Sequence, residues 1–227
     1  MPTTPPTLDH PTFRIVREKF PGKKFRGTEF RSQSTLIVDP ADLHEVMAYL
    51  RDEPRLAYNF LSDVFGIDYL NYPTPMPGRF AVVYNLLSHS RDDRFFVKTF
   101  VSPSLPTDGI VEDPALYVDS VCDLWPGAEW PEREVFDMFG IKFDGHPDLR
   151  RILMWEGYPY HPLRKEFPLA GLPTELPDAD IAAETKAGLI AAPMAGGPFV
   201  AKSGRPMSEA EPRAKDEAWN ERRPKPE

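Results

Sequence analysis

Apolar positions follow two different periods along this chain, and the changes of period mark its elements. Thr35–Val38 (TLIV) is a short apolar run of the kind that forms a strand. Asp39-Pro40 then offers an N-cap and a proline at the first helical position. Leu43, Val46, Met47 and Leu50 follow at i, i+3, i+4 and i+7, which predicts a helix over residues 40–52, ended by Glu53-Pro54. Residues 60–69 (FLSDVFGIDY) carry both periods: Phe60, Leu61, Val64 and Phe65 are spaced as on a helix, while Ile67 and Tyr69 alternate. The stretch is read as a strand kinked at Gly66. Residues 79–87 and 94–101 are rich in β-branched and aromatic side chains. The polar segment Ser88–Asp93 joins them, so the pair predicts a hairpin.

Further along, Ser120 is placed to cap a short helix ending near Trp125, which Pro126-Gly127 breaks. Pro131 reads as the first residue of a second helix, with Val135, Met138 and Phe139 as its apolar stripe and Gly140 at C′. Asp144-Gly145 is a turn dipeptide, followed by His146-Pro147. The fold class this predicts is α+β: a single mixed domain over residues 31–145, with a sheet of three or four strands and helices packed on one face. Residues 1–30 are Pro-rich, then Lys/Arg-rich, and read as a mostly irregular leader with room for a short helix or strand at 13–20. Residues 146–169 form a Pro-bounded arm. Over residues 170–227 Pro, Ala, Gly and charge dominate, and Phe199 and Trp219 are the only aromatics. Such a segment buries too little to offset its ordering entropy, and it reads as an extended, partner-wrapping tail.

Charge and composition remove several function classes. The 227 residues carry a net charge of −8, with pI about 5.2, the wrong sign for a sequence-independent nucleic-acid binder. One cysteine, Cys122, leaves no intrachain disulfide and no cysteine-built zinc or iron–sulfur site within this chain. Cys122 itself reads as a small core residue rather than a nucleophile. No apolar run approaches the roughly 20 residues that span a bilayer. Residues 1–13 lack a basic region leading into an apolar core, so membrane association is expected only through partners.

Most of the candidate chemistry lies in Glu132–Leu153 (EREVFDMFGIKFDGHPDLRRIL). Glu134 and Asp137, three apart on a helix, are a candidate carboxylate pair for acid–base work. A solvated helix face, with Arg133 four residues before Asp137, is the favoured reading. His146 and His161 with nearby acids are a candidate metal site, but they lie fifteen residues apart, and each precedes a proline. No nucleophile elbow, phosphate loop or dinucleotide motif occurs, and Ala195–Pro198 (AGGP) reads as a flexible joint. Arg133, Arg150, Arg151 and Arg164 lie among Trp130, Phe136, Phe139, Trp155, Tyr158 and Tyr160, a composition typical of protein interfaces. An interface and an ordinary solvated surface both remain open on these residues.

This stretch resembles the signature of the 30-kDa subunit family, the bacterial C subunit, of the proton-translocating NADH:quinone oxidoreductase (respiratory complex I). The matching positions are Glu132, Arg133, Glu134, Asp137, Met138, Phe139, His146, Arg150, Ile152 and Leu153, at unbroken spacing. His161–Leu169 (HPLRKEFPL) is similar to the family's HPLRKDYPL ending, and the resemblance covers about residues 35–169. Residues 155–160 (WEGYPY) and Pro131 depart from the family pattern, which bears on local contacts. The resemblance implies a peripheral-arm subunit that binds no cofactor and has no catalytic site of its own. It supports electron transfer from NADH through FMN and Fe–S clusters, held in partner subunits, to a quinone such as ubiquinone. The implied partners are the large quinone-site subunit and its cluster-bearing neighbour, on the cytoplasmic side of a bacterial inner membrane. The residues implied at the signature or partner interface are Glu132, Arg133, Glu134, Asp137, Phe139, Gly145, His146, Asp148, Arg150, Arg151, His161 and Arg164. Rival readings are a homologous subunit of a membrane-bound hydrogenase or other quinone-reducing complex, and a stand-alone metal-dependent enzyme using His146 and His161.

Overall fold

The computed structural model describes residues 8–107, 113–168, 171–175, 179–185 and 188–189. They divide into two units, Met1–Met154 and Trp155–Glu227. The first is α+β, and its elements begin inside the expected leader. Helix α1 (Pro11–Lys19) buries Phe13, Ile15 and Val16, and strand β1 (Arg26–Phe30) pairs antiparallel with β2 (Gln33–Val38). Residues 8–30 of the expected leader are therefore more regular than its composition suggests, and the short helix allowed at 13–20 is α1. Its few apolar residues share one helical face, and polar bonds fix its start: His10 Nδ1 accepts from the Thr12 N–H (3.3 Å), and His10 Nε2 lies 3.1 Å from Asp93 Oδ1. Arg31 and Ser32 both take positive φ (51° and 63°), the two-residue turn that closes the β1–β2 hairpin.

Asp39 caps the chain as expected, accepting from the Ala41 N–H at 3.2 Å. A 3-10 turn, Pro40–Asp42, leads into α2 (Leu43–Asp52), whose Leu43, Val46, Met47 and Leu50 are all fully buried. Strands β3 (Phe60–Asp68), β4 (Phe80–Ser88) and β5 (Asp93–Val101) follow, and β4–β5 is the expected hairpin. The sheet has five strands in the order β1-β2-β5-β4-β3, against the three or four expected, because the leader supplies β1. Only the β2–β5 pair is parallel. The irregularity in β3 falls between Leu61 and Asp63, not at Gly66. A Cβ at Gly66 would lie 2.5 Å from the Phe139 ring, so this glycine admits a packed aromatic instead of bending the strand.

Phe80, Val82, Tyr84 and Leu86 of β4 face Val101, Thr99, Val97 and Phe95 of β5 across the ladder. These positions form one sheet face, and α1, α2 and α3 (Glu129–Phe139) all bury into it. Short parallel strands β6 (Tyr117–Asp119) and β7 (Lys142–Asp144) bracket α3. The helix expected between Ser120 and Trp125 is a single turn closed by Trp125 N–H to Val121 O (2.9 Å). Pro126 does not break a helix; it starts one. A 3-10 turn, Pro126–Ala128, runs directly into α3, two residues before Pro131. Gly140 ends α3 at φ 75°, its N–H reaching Phe136 O at 2.8 Å.

In the second unit, Trp155, Tyr158, Tyr160 and Phe167 meet in sequence, with ring centroids 5.9, 5.7 and 5.6 Å apart. Short strands β8 (Thr174–Glu175) and β9 (Gly188–Leu189) pair, with α4 (Ala179–Thr185) between them. Most of the expected tail, including Ala195–Pro198, Phe199 and Trp219, lies outside the described residues.

Candidate functional site, a buried charged clamp

Helix α3 presents three charged side chains inward. Glu132 and Asp137 are 0% exposed and Arg133 is 6% exposed, so the expected solvated face does not describe them. Glu134 is exposed. The candidate carboxylate pair is thus split, one member in solvent and one in the interior.

Asp137 is the centre of the arrangement. Its Oδ2 accepts three successive backbone N–H groups, from Ile152 (3.1 Å), Leu153 (2.7 Å) and Met154 (2.8 Å). Its Oδ1 accepts from Arg151 Nη1 at 2.6 Å, and the same Nη1 reaches the Asp137 carbonyl at 3.2 Å. Consecutive N–H groups converging on one oxygen make a backbone anion nest. Burial alone would raise the Asp137 pKa, but the Met154 and Leu153 N–H groups, Arg151 and the Ile152 N–H outweigh it and hold it low. These bonds commit both carboxylate oxygens to protein partners.

Arg133 works from the neighbouring turn. Nε donates to Arg150 O and Nη2 to Arg151 O, both at 3.1 Å, while its guanidinium lies 5.2 Å from the centre of the Trp130 ring. Arg133 and Asp137 are therefore not a helical ion pair. They grip one segment, residues 150–154, from its carbonyl side and its amide side. Glu132 grips the other end of the helix: Ser120 Oγ donates to Oε2 (2.6 Å), the Val121 N–H to Oε1 (2.9 Å), and the Cys122 thiol to Oε2 (3.4 Å). Burial pushes the Glu132 pKa up against the Ser120 and Val121 bonds, which lower it.

His146 bridges the two ends. Its Nδ1 accepts the Asp148 N–H (3.0 Å), which leaves Nε2 to donate to Glu129 O at 3.0 Å and fixes the tautomer. Gly145 before it takes φ 77°, the left-handed turn its type allows. Asp148 pairs with Arg150 at 2.8 Å in solvent. Phe139 locks the helix to the sheet at Gly66, 6.3 Å from the Phe80 ring. His161 and Arg164 belong to the second unit, where the Arg164 N–H closes a turn onto His161 O (3.1 Å) and Arg164 is 6% exposed.

The metal reading takes a different form from the one the sequence suggests. His146 and His161 fall in different units, whereas donor atoms of Cys122, Glu132 and His146 lie within 4.8 Å of one another. Each of the three already has a protein hydrogen-bond partner. Burial pushes the Cys122 thiol up to about 12, so it is a protonated donor, in keeping with an inert cysteine. One signal in the sequence could have revealed the inward acid: Glu132 stands three residues before Val135 and seven before Phe139, on the apolar stripe itself.

A mixed α+β domain whose last helix is clamped by internal charges to the loop after it is the class that this geometry defines. Comparison supplies the rest. Residues 36–173 match the family of the respiratory-chain NADH dehydrogenase 30-kDa subunit. The NADH-quinone oxidoreductase C subunit of Roseiflexus castenholzii is 42% identical over 163 residues, 71% of this chain and 86% of its own. The C subunit of the Thermus thermophilus enzyme is 47% identical over 135 residues, 57% of this chain and 59% of its own. A solved trypsin-resistant fragment of Nqo5, residues 1–134, superposes with TM-score 0.50 at 35% identity, covering 61% of this chain and 99% of that one. A chain from the archaeal membrane-bound sulfane sulfur reductase shares the fold alone, with TM-score 0.54 at 19% identity over 80% of this chain and 93% of that one. The chain belongs to the 30-kDa subunit family of NADH-quinone oxidoreductase, a multi-subunit oxidoreductase of the respiratory chain. Among the described residues, no helix is long and apolar enough to cross a membrane.

Proposed function

We propose that this chain is a structural subunit of the peripheral arm of a proton-translocating NADH:quinone oxidoreductase. In this reading it holds neither FMN nor an Fe–S cluster. It packs against the large quinone-site subunit and its cluster-bearing neighbour, on the cytoplasmic side of a bacterial inner membrane, while electrons pass through those partners to quinone. The observation that carries the reading is the fate of the signature charges. Glu132, Arg133, Asp137 and Arg151 spend their hydrogen bonds on backbone groups, on Ser120 and Cys122 and, between Asp137 and Arg151, on each other, so that these four charges hold a shape. The single cysteine supports it, because cluster ligation by one chain needs several thiolates.

The test is a native purification through a tag on this chain, with partner identification and flavin and iron analysis. The reading expects NADH:quinone activity, FMN and iron in the intact assembly, and none of them in the separated chain. Stoichiometric iron or flavin retained by the separated chain would overturn it.

A further inference from the structure

Strand β4 reads FAVVYNLLS, apolar almost throughout. A strand of that composition is built for cover on both faces. Helices α1, α2 and α3 cover the face of Phe80, Val82, Tyr84 and Leu86. The alternate residues Ala81, Val83, Asn85 and Leu87 point to the second face, which none of these three helices covers; Asn85 is its one polar member on this strand, and Ala81 and Val83 are buried among their neighbours.

That face is apolar across the neighbouring strands as well. The register puts Phe96 and Phe100 of β5 beside it on one side, and Phe65 and Ile67 of β3 on the other. Ile37 of β2 continues it, opposite Lys98. Phe65 is 37% exposed, Ile37, Phe96 and Ile67 are half-buried and Phe100 is buried, with Thr35 beside Phe96 as a polar member of the face. An ordinary one-sided sheet would place polar side chains at these positions. Four strands at ~4.8 Å spacing and ~3.3 Å rise per residue give a plane of about 500 Å², the scale of the largest apolar patch on a soluble domain, which is often a functional one.

The charges on this face are mostly of one sign. Arg26, Arg94 and Lys98 stand on it, with Asp63 as the acid in register. At its β1–β2 end a cavity of about 290 Å³ opens between Lys24 and Arg26, with Ile37, Pro40, Pro77 and Phe100 around it. Asp39 also lines it, but its carboxylate caps the following turn at Ala41. Lys24 and Arg26 are exposed and make no ion pair among the described residues. A second copy of this face would set these cations against each other, so self-association is disfavoured.

We propose that the helix-free face of the sheet docks a neighbouring subunit of the complex, through an apolar surface of that subunit bearing a carboxylate that enters the Lys24–Arg26 cavity. The proposal rests on the reading of the chain as a member of the complex and goes beyond it: the contact is made by the sheet, while the clamp at Asp137 acts internally.

The experiment places a photo-cross-linking phenylalanine analogue at Phe65 or at Phe96 of the full chain, purifies the assembled oxidoreductase and maps the adducts. The expected result is one dominant adduct on a different subunit, in a peptide containing Asp or Glu. In parallel, the double variant Lys24→Glu/Arg26→Glu lowers recovery of the chain in the complex about tenfold or more, while its melting transition as a free chain is unchanged. Adducts only within the same chain, or on a second copy of it, overturn the proposal. So does full recovery of the double variant. A tagged chain that brings down no oxidoreductase subunit at all would instead overturn the reading on which the proposal rests.

Discussion

Asp137→Asn is the sharpest perturbation of the clamp, because no rotamer of asparagine satisfies it. With the amide oxygen turned to the nest of the Ile152, Leu153 and Met154 N–H groups, the amide nitrogen faces Arg151 Nη1, donor against donor. Flipped, the nitrogen faces three backbone donors. Either way a side chain that is 0% exposed loses its charge, and buried N–H groups lose their acceptor. Removing one partner of a buried pair costs about 3–5 kcal/mol, and one unsatisfied buried donor costs about 1–3 kcal/mol. The two overlap, so the expected loss is about 4 kcal/mol, a large share of the roughly 5–15 kcal/mol that holds a domain folded. At ~2–4 °C per kcal/mol for a chain of this size, the melting temperature should fall by roughly 8–16 °C. The assay is thermal unfolding of the full chain beside Glu134→Gln, the exposed neighbour, which should stay within about 0.5 kcal/mol of the parent. Amide exchange adds a local readout: the N–H groups of 152–154 should lose protection first. A loss below about 1 kcal/mol, or unchanged protection at 152–154, would refute the clamp.

Other consequences are open to equally direct measurement. Gly66→Ala pushes a methyl into the Phe139 ring and should cost about 1–3 kcal/mol as overpacking; a cycle with Phe139→Leu should recover part of it, and strict additivity would contradict the contact. Tyr84→Phe removes a buried hydroxyl that has no hydrogen-bond partner among the described residues, so denaturant unfolding should show neutral or increased stability. Stability should also depend on pH in two opposed ways. The Asp137 pKa is held low in the fold, so its contribution is complete above the unfolded value of about 3.9 and lost as pH falls through the folded value. Asp113, held down to about 2 by Ser104 and the Ala115, Leu105 and Ser104 N–H groups against burial, adds to the same acid limb. Glu132 is raised by burial, so its charged form is a cost that disappears as pH falls through its folded value towards about 4.3. A mildly acidic stability maximum is therefore expected, with a shallower acid limb in Asp137→Asn; chemical denaturation across pH checks both.

How much was legible in the sequence varies with the physics behind each element. The α2 helix and the β4–β5 hairpin could be read because the cap at Asp39, the apolar spacing and the polar connection are all local. Gly140 could be read for the same reason. The α1–β1 segment was obscured by its Pro and Lys/Arg composition. What orders it is long-range: His10 and Tyr58 meet at Asp93, 83 and 35 residues away. Gly66 looked like a kink because only the fold shows the Phe139 ring above it. The signature residues could be picked out, but their geometry could not. Periodicity set Glu132 on the buried stripe, yet that Asp137 would meet the amides of a segment fifteen residues later depends on the turn at Gly145 and His146.

The measurement closest to the central claim is turnover per assembled complex when Asp137→Asn is carried into the whole oxidoreductase. The account predicts a lower yield of assembled complex, with NADH:quinone turnover per assembled complex within about twofold of the parent. Loss of a group that takes part in proton transfer costs about 10²–10⁴-fold. Full assembly with turnover reduced on that scale would contradict the claim that this carboxylate only holds a shape.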